Sequence, residues 1–293
     1  MVSAGEKPAA GAAEEYNYEY FNVSFPQEYV AHVEISRPEK LNAFVEKMWL
    51  NISAIFARLS HNPSVRAILL TGAGERAFTA GLDVQAASQG GSIINPLSPS
   101  PDVARKANTL RRDILAFQAC ITALERCEKP VIAVLHGISY GLALDLSLAC
   151  DVRLAAASTA FSVKEVDIGL AADIGTLSRL PKAVGSASWV KDVCLSARVF
   201  GAEEALRVGL VSGVYKDKGA AVAAGAELAA AIASKSPVAT AGTKELLNYS
   251  RDRTVEEGLR YTAVWNMAMV QTGDVKDALL SGLKKTRPVF AKL

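Results

Sequence analysis

The chain has 293 residues, half of them hydrophobic and 21 % charged, a composition suited to a packed core and not to a stapled mini-domain or a low-complexity polymer. Lys plus Arg number 32 against 30 Asp plus Glu, leaving +2 and no basic run of five or more, so no nucleic-acid partner is expected. Four cysteines without a C-x-x-C spacing and only three histidines speak against metal and disulfide frameworks, favour a reducing compartment, and leave acid–base chemistry to carboxylates.

Residues 1–15 have no periodicity and are expected to form a disordered arm; they carry acids where a mitochondrial presequence would carry arginines. Tyr29 to Ile35 alternates like a half-buried strand, and Arg37-Pro38 ends it. Glu46 to Leu59 predicts a helix with a broad apolar face of Met48, Leu50, Ile52, Ile55, Phe56 and Leu59. Ala67 to Leu70 reads as a short buried strand before a turn at Thr71-Gly72-Ala73-Gly74. A polar stretch from Gly90 to Pro101 is read as a loop, either beside the substrate channel or plain surface. A second amphipathic helix covers about Lys106 to Arg126, and Val131 to Leu135 is another buried strand. Val152–Leu154 and Phe161–Val163 are read as further strands. Strand–helix alternation of this kind predicts an α/β architecture with mainly parallel strands.

Beyond Gly219 the pattern turns helical: to about Ser234, from Val238 to Ser250, and from a capping box at Thr254-Val255-Glu256-Glu257 to about Gln271. Gly273 is expected to stop that helix and Asp274 to cap the next. Trp265, Met267 and Met269 crowd together there, and this helical third is expected to be both a separate lobe and an oligomer interface. Val131 to Cys150 has the length of a bilayer span, but it contains His136, Gly137, Gly141 and Asp145, so a strand, a turn and a core helix are expected instead of a membrane segment.

Three stretches could carry chemistry. The passage from His136-Gly137 into a helix near Gly141 aims unpaired backbone N–H groups and a positive helix end at one spot, a place for an anion or a developing oxyanion. Asp145, one turn beyond Leu142, falls on the same face; it reads equally as a buried acid bonded to backbone. The turn Phe78 to Asp83 could supply a second N–H, its small residues allowing close approach. In Val163 to Thr176, Glu165, Asp167 and Asp173 stand in an apolar context that can push carboxyl pKa values apart. Asp173 also reads as an N-cap, and Lys164 can neutralise Glu165 or Asp167.

From about Tyr20 onward the sequence resembles the crotonase, or enoyl-CoA hydratase/isomerase, superfamily. The resemblance is carried by Arg37-Pro38-Glu39-Lys40-Leu41-Asn42-Ala43, Ala77-Phe78-Thr79-Ala80-Gly81-Leu82-Asp83, Lys129 to Ala133 into His136-Gly137, and Ala149-Cys150-Asp151-Val152-Arg153. It implies a crotonase-like ββα spiral core over 16–218 and a helical C-terminal oligomerisation region over 219–290. It further implies a homotrimer or hexamer and acyl-CoA thioester substrates, with CoA entering as part of the substrate and no other cofactor. The enolate would be held by the Leu82 and Leu142 amides, within Ala80-Gly81-Leu82-Asp83 and Leu142-Ala143.

Hydratases of the superfamily present two glutamates. Here Asp145 and Glu165 take those places, and Asp173 stands where a hydratase has Gly, a set similar to the isomerase subgroup that shifts conjugated dienes. This implies conversion of 3,5-dienoyl to 2,4-dienoyl thioesters in β-oxidation, with a 2-enoyl-CoA hydratase as runner-up and a non-catalytic assembly subunit as a third reading. The family's usual triple glycine is replaced by Gly141-Leu142-Ala143, which bears on acyl fit more than on a backbone donor. The ending Ala291-Lys292-Leu293 resembles the tripeptide read by the peroxisomal import receptor, so a peroxisomal location is expected.

Overall fold

The computed structural model describes residues 16–86 and 102–293. The expected arm over 1–15 and the expected loop from Gly90 to Pro101 therefore lie outside the described residues.

A hairpin of β1 (Phe21–Gln27) and β2 (Val30–Ile35) opens the fold, its buried positions alternating as its sequence does. Helix α1 (Glu46–Ser60) follows, and then the chain repeats one unit: a strand in a large sheet, a short strand in a second sheet, and a helix. The first repeat is β3 (Ala67–Gly72), β4 (Ala77–Thr79) and α2 (Val103–Arg126). The second is β5 (Val131–Leu135), β6 (Ile138–Tyr140) and α3 (Leu142–Leu148). The third is β7 (Val152–Ala156), β8 (Ala160–Ser162), a 3-10 turn at Glu165–Ile168 and α4 (Thr176–Ala183). After α5 (Ala187–Ser196), β9 (Phe200–Gly201), α6 (Ala202–Arg207) and β10 (Gly213–Tyr215) complete the sheets. The large sheet has the order β1-β2-β3-β5-β7-β10, parallel from β2 onward, and the small one β4-β6-β8-β9.

β3 and β5 are buried along their whole length, which is why they read as continuous apolar runs instead of alternating ones. One core lies between the two sheets and the repeat helices; a second lies where α7 (Lys218–Ala233) covers the large sheet. That helix lies so close that a side chain at Gly225 would come within 2.8 Å of Leu69 Cδ1 and Val134 Cγ2. The Ala-rich start of the expected oligomerisation region is thus packed on the sheet.

Helices α8 (Pro237–Ser250), α9 (Val255–Met269) and α10 (Gly273–Leu283) follow, with the capping box of Thr254 and Glu257 formed in both directions. They leave Leu259, Met267, Leu279 and Leu283 exposed. Among the described residues no helix is long and apolar enough to cross a membrane, and 131–150 folds as strand, short strand and core helix.

Several local expectations are corrected. Leu50 is exposed, so the apolar face of α1 is narrower than its composition implies. The strand expected over Phe161–Val163 lies one residue earlier, fixed by its pairing with β6. Thr272, not Asp274, caps α10; Asp274 sits in its first turn and accepts from the Ser236 hydroxyl at 2.5 Å.

Candidate active site

The turn after β4 is tied down on every side but one. Ala80 N donates to the Leu41 carbonyl (3.0 Å), Gly81 N to Thr79 Oγ1 (3.2 Å) and Asp83 N to the Phe44 carbonyl (2.9 Å). The Leu82 N–H has no acceptor among the described residues. Asn42, fully buried and left-handed, fastens this turn: its Nδ2 donates to the Ala73 and Ala77 carbonyls at 2.9 Å each, and its Oδ1 accepts from Arg37 N at 2.8 Å. Arg37 pairs with Asp83 at 2.8 Å; the Ala86 N–H and that guanidinium hold the Asp83 carboxyl below its usual range.

The second amide comes from the next repeat. Gly141 turns the chain out of β6 with φ +53 and donates its N–H to the Ser162 carbonyl at 2.9 Å, so Leu142 begins α3 with its own N–H unpaired among the described residues. A side chain at Gly81 would sit 3.1 Å from the Tyr140 carbonyl oxygen and 3.7 Å from Leu142 N, so the two free amides share one wall.

The three acids come from three elements. Asp145 lies on α3, 2 % exposed, and its Oδ1 accepts from both Thr176 N (2.6 Å) and Thr176 Oγ1 (2.8 Å). Burial pushes its carboxyl up to about 6 against the pull of those two bonds. Glu165 opens the 3-10 turn, three residues past the end of β8. Its Oε2 is buried without a partner among the described residues, and its Oε1 would be 3.2 Å from a side chain at Gly141. Burial, then the charge of Asp145, pushes the Glu165 carboxyl up to about 7. Lys164 does not neutralise it; that ammonium pairs with Asp167 at 2.8 Å.

Asp173 is not the N-cap of α4, a place taken by Gly175, and burial raises its carboxyl too. Its main-chain carbonyl accepts from Gln118 Nε2 at 2.5 Å. The capping role expected of Asp173 falls instead to Asp145, reaching across from another helix.

All three carboxyls, with Ala80, Gly81, Leu82 and Leu142, line one cavity of about 120 Å³. Ile114 and Phe117 of α2 and Ile168 and Leu170 supply apolar wall that the sequence reading did not assign to it. Two expected members are elsewhere: Ala143 is packed in the core, and Asp83 serves the Arg37 ion pair. Thr176 was also missed, since no local spacing links it to Asp145, 31 residues away. Among the described residues no group of three or more His, Cys, Asp and Glu could hold a metal ion.

Amides left unpaired beside acids of raised pKa are groups that can move protons next to a carbonyl whose oxygen gains negative charge. The chain belongs to the enoyl-CoA hydratase/isomerase family, whose profile matches residues 26–292. It is 44 % identical over 271 residues to the mitochondrial Delta(3,5)-Delta(2,4)-dienoyl-CoA isomerase of Rattus norvegicus, covering 92 % of this chain and 81 % of the relative. It is 42 % identical over 264 residues to the peroxisomal Delta(3,5)-Delta(2,4)-dienoyl-CoA isomerase of Arabidopsis thaliana, covering 90 % and 93 %. The crystal structure of enoyl-CoA hydratase from Bacillus anthracis superposes with a TM-score of 0.84 at 25 % identity, covering 93 % of this chain and 99 % of that one. The expected fold, a ββα spiral with a helical C-terminal region, is the observed one.

Proposed function

We propose that this chain isomerises 3,5-dienoyl-CoA to 2,4-dienoyl-CoA. The observation that carries the reading is the third acid: Asp173 joins Asp145 and Glu165 on a cavity also lined by Leu82 and Leu142, whose amides are unpaired among the described residues. The thioester oxygen accepts from Leu82 N and Leu142 N, which favours enolate charge there. Glu165, as carboxylate, removes a proton from the α carbon; the electron pair moves along the diene; Asp173 delivers a proton to the ε carbon. One proton is lost and one gained, so substrate and product are isomers. Asp145 organises the site and denies water the second glutamate of a hydratase. CoA enters as part of the substrate and the chemistry needs no further cofactor.

The test is the absorbance change of a 3,5-dienoyl-CoA on wild type and on Asp173→Asn. Loss of turnover in the variant is expected; turnover near wild type would remove Asp173 from the mechanism. Hydration of a 2-enoyl-CoA without diene isomerisation would establish the hydratase reading, and thioester binding without turnover of either would establish an assembly subunit.

The spiral core and the exposed apolar side chains of α9 and α10 support a homotrimer or hexamer built through the C-terminal helices. Mass measurement in solution checks this, a monomer contradicting it. A peroxisomal address at Ala291-Lys292-Leu293 is supported by the exposure of all three residues beyond the buried Phe290, whose carbonyl accepts from Arg66 Nη2 at 2.8 Å. The Arabidopsis relative is named peroxisomal and the Rattus one mitochondrial, so a fluorescent fusion with and without the tripeptide decides the compartment.

A further inference from the structure

Thr176 is fully buried, and its hydroxyl has one partner among the described residues: Asp145 Oδ1, at 2.8 Å. Its N–H goes to the same oxygen at 2.6 Å, leaving Asp145 Oδ2 with no hydrogen-bond partner among the described residues. Starting α4 requires only the backbone bond, since the N-cap Gly175 offers no side chain. The hydroxyl is therefore surplus to helix capping, and its whole effect falls on a carboxylate that lines the cavity.

We propose that Thr176 is a positioning residue for the reaction, acting through Asp145: its hydroxyl fixes one carboxylate oxygen and keeps the acid ionised beside Glu165. The proposal rests on the isomerase reading above. The charged and titratable groups that face this pair are Asp173 ahead of α4, Arg179 on α4 and Cys194 on α5. Arg179 is itself tied to Glu125 of α2 at 2.5 Å and to Thr122 Oγ1 at 3.0 Å, and a side chain at Gly175 would collide with its guanidinium. It therefore cannot swing in to replace a lost hydroxyl donor without giving up those partners. An ionised Asp145 keeps a negative charge near Glu165 and so keeps Glu165 a stronger base.

The sign of the effect is fixed. The hydroxyl donates to the ionised form, so its loss favours the proton on Asp145. The summed proton affinity of the Asp145–Glu165 pair then rises, and the acid limb of the rate profile moves to higher pH. Thr176→Val removes the hydroxyl at nearly constant volume and keeps the N–H. It is expected to lower kcat about ten- to hundredfold with little change in KM, and to move the acid limb up by about one pH unit. Thr176→Ser, which restores the hydroxyl, should recover most of the rate and the original limb. In an Asp145→Asn background, Thr176→Val should cause no further loss.

Carboxyl carbon NMR of ¹³C-Asp protein, with the Asp145 signal assigned by its absence in Asp145→Asn, reads the same event without turnover. The signal should titrate at higher pH in the Val variant than in wild type or the Ser variant. A wild-type titration of Asp145 in Thr176→Val, or a loss that adds in full to that of Asp145→Asn, overturns the proposal. A shifted titration in a protein that turns over no dienoyl-CoA leaves the Thr176–Asp145 link standing and overturns the isomerase reading alone. If the Val variant melts early, the Ser variant and the NMR titration of its folded fraction still decide.

Discussion

The two walls of the cavity are made in opposite ways. On one wall the working groups are the amides of Leu82 and Leu142, fixed by the main chain and by buried anchors such as Asn42 and Gly141. On the other they are the side chains of Asp145, Glu165 and Asp173, whose character depends on what surrounds them: two donors on one oxygen of Asp145, only a main-chain N–H of its own for Glu165, whose Oε2 is left bare, and a more open setting for Asp173. The amide wall should therefore tolerate changes of side chain and fail when the main chain changes, whereas the acid wall should fail at single atoms.

The sharpest way to break the comparison is to neutralise the acids one at a time. Glu165→Gln and Asp173→Asn keep shape and remove the titrating oxygen, and each is expected to lower kcat for 3,5-dienoyl-CoA by about 10²- to 10⁴-fold. Either variant within tenfold of wild type would mean that its carboxyl moves no proton. On the amide wall the matching experiment is Leu142→Pro. Residue 142 is the first of α3, where proline fits the helix while deleting the N–H, so a loss of about 10²- to 10³-fold in kcat is expected. Leu142→Ala keeps the N–H and should change kcat only a few-fold, with any larger effect confined to acyl-chain preference. Equal losses in the two variants would show that the side chain, not the amide, matters there.

The same division explains what could be read from the sequence. The main strands and helices were legible because their period and their Gly and Pro punctuation are local. β4, β9 and β10, at two or three residues each, are too short to show a period, and their pairing in two sheets is a tertiary fact. The amides were legible because a strand-to-helix turn creates them by itself. The acids were legible as residues and only partly as roles. Asp173 looked like a cap because Asp ahead of a helix is a good one, but Asp145 reaches Thr176 first from 31 residues away. Lys164 read as a partner of either Glu165 or Asp167, and the 3-10 turn carries it to Asp167. Leu82 and Leu142 point to the site through their amides; Ala143, a neighbour in sequence, is one helical position too far round and packs in the core.

A smaller effect tests whether the amide wall depends on its anchor. Asn42 makes three side-chain hydrogen bonds from a buried, left-handed position at φ +55. Asn42→Ala leaves those partners unpaired and places alanine in a conformation it disfavours, so stability should fall by about 2 to 4 kcal/mol by denaturant unfolding. If the variant is as stable as wild type but loses activity, the anchor aligns the Leu82 amide without supporting the fold. If stability falls and activity per folded molecule does not, the turn keeps its shape without Asn42.

The acid wall should also show that its charge is held against the preference of the fold. Glu165 titrates near 7 when folded, above its ordinary range near 4.5, mainly because burial penalises the carboxylate. The folded chain therefore binds this proton more tightly than the unfolded chain. Its stabilising effect is fully present below about pH 4.5 and is lost as pH rises through about 7. Glu165→Gln, which stays neutral, should match wild type near pH 4.5 and exceed it by about 1 to 2 kcal/mol at pH 8, after allowing for solvent screening at a partly exposed site. Unfolding curves at the two pH values give the difference directly, and a pH-independent offset would mean that Glu165 is ordinary in its ionisation. The substitution expected to slow turnover is thus expected to stabilise the protein where the wild type works as a base, because a carboxylate ready to take a proton from carbon is one whose charge burial has left poorly compensated.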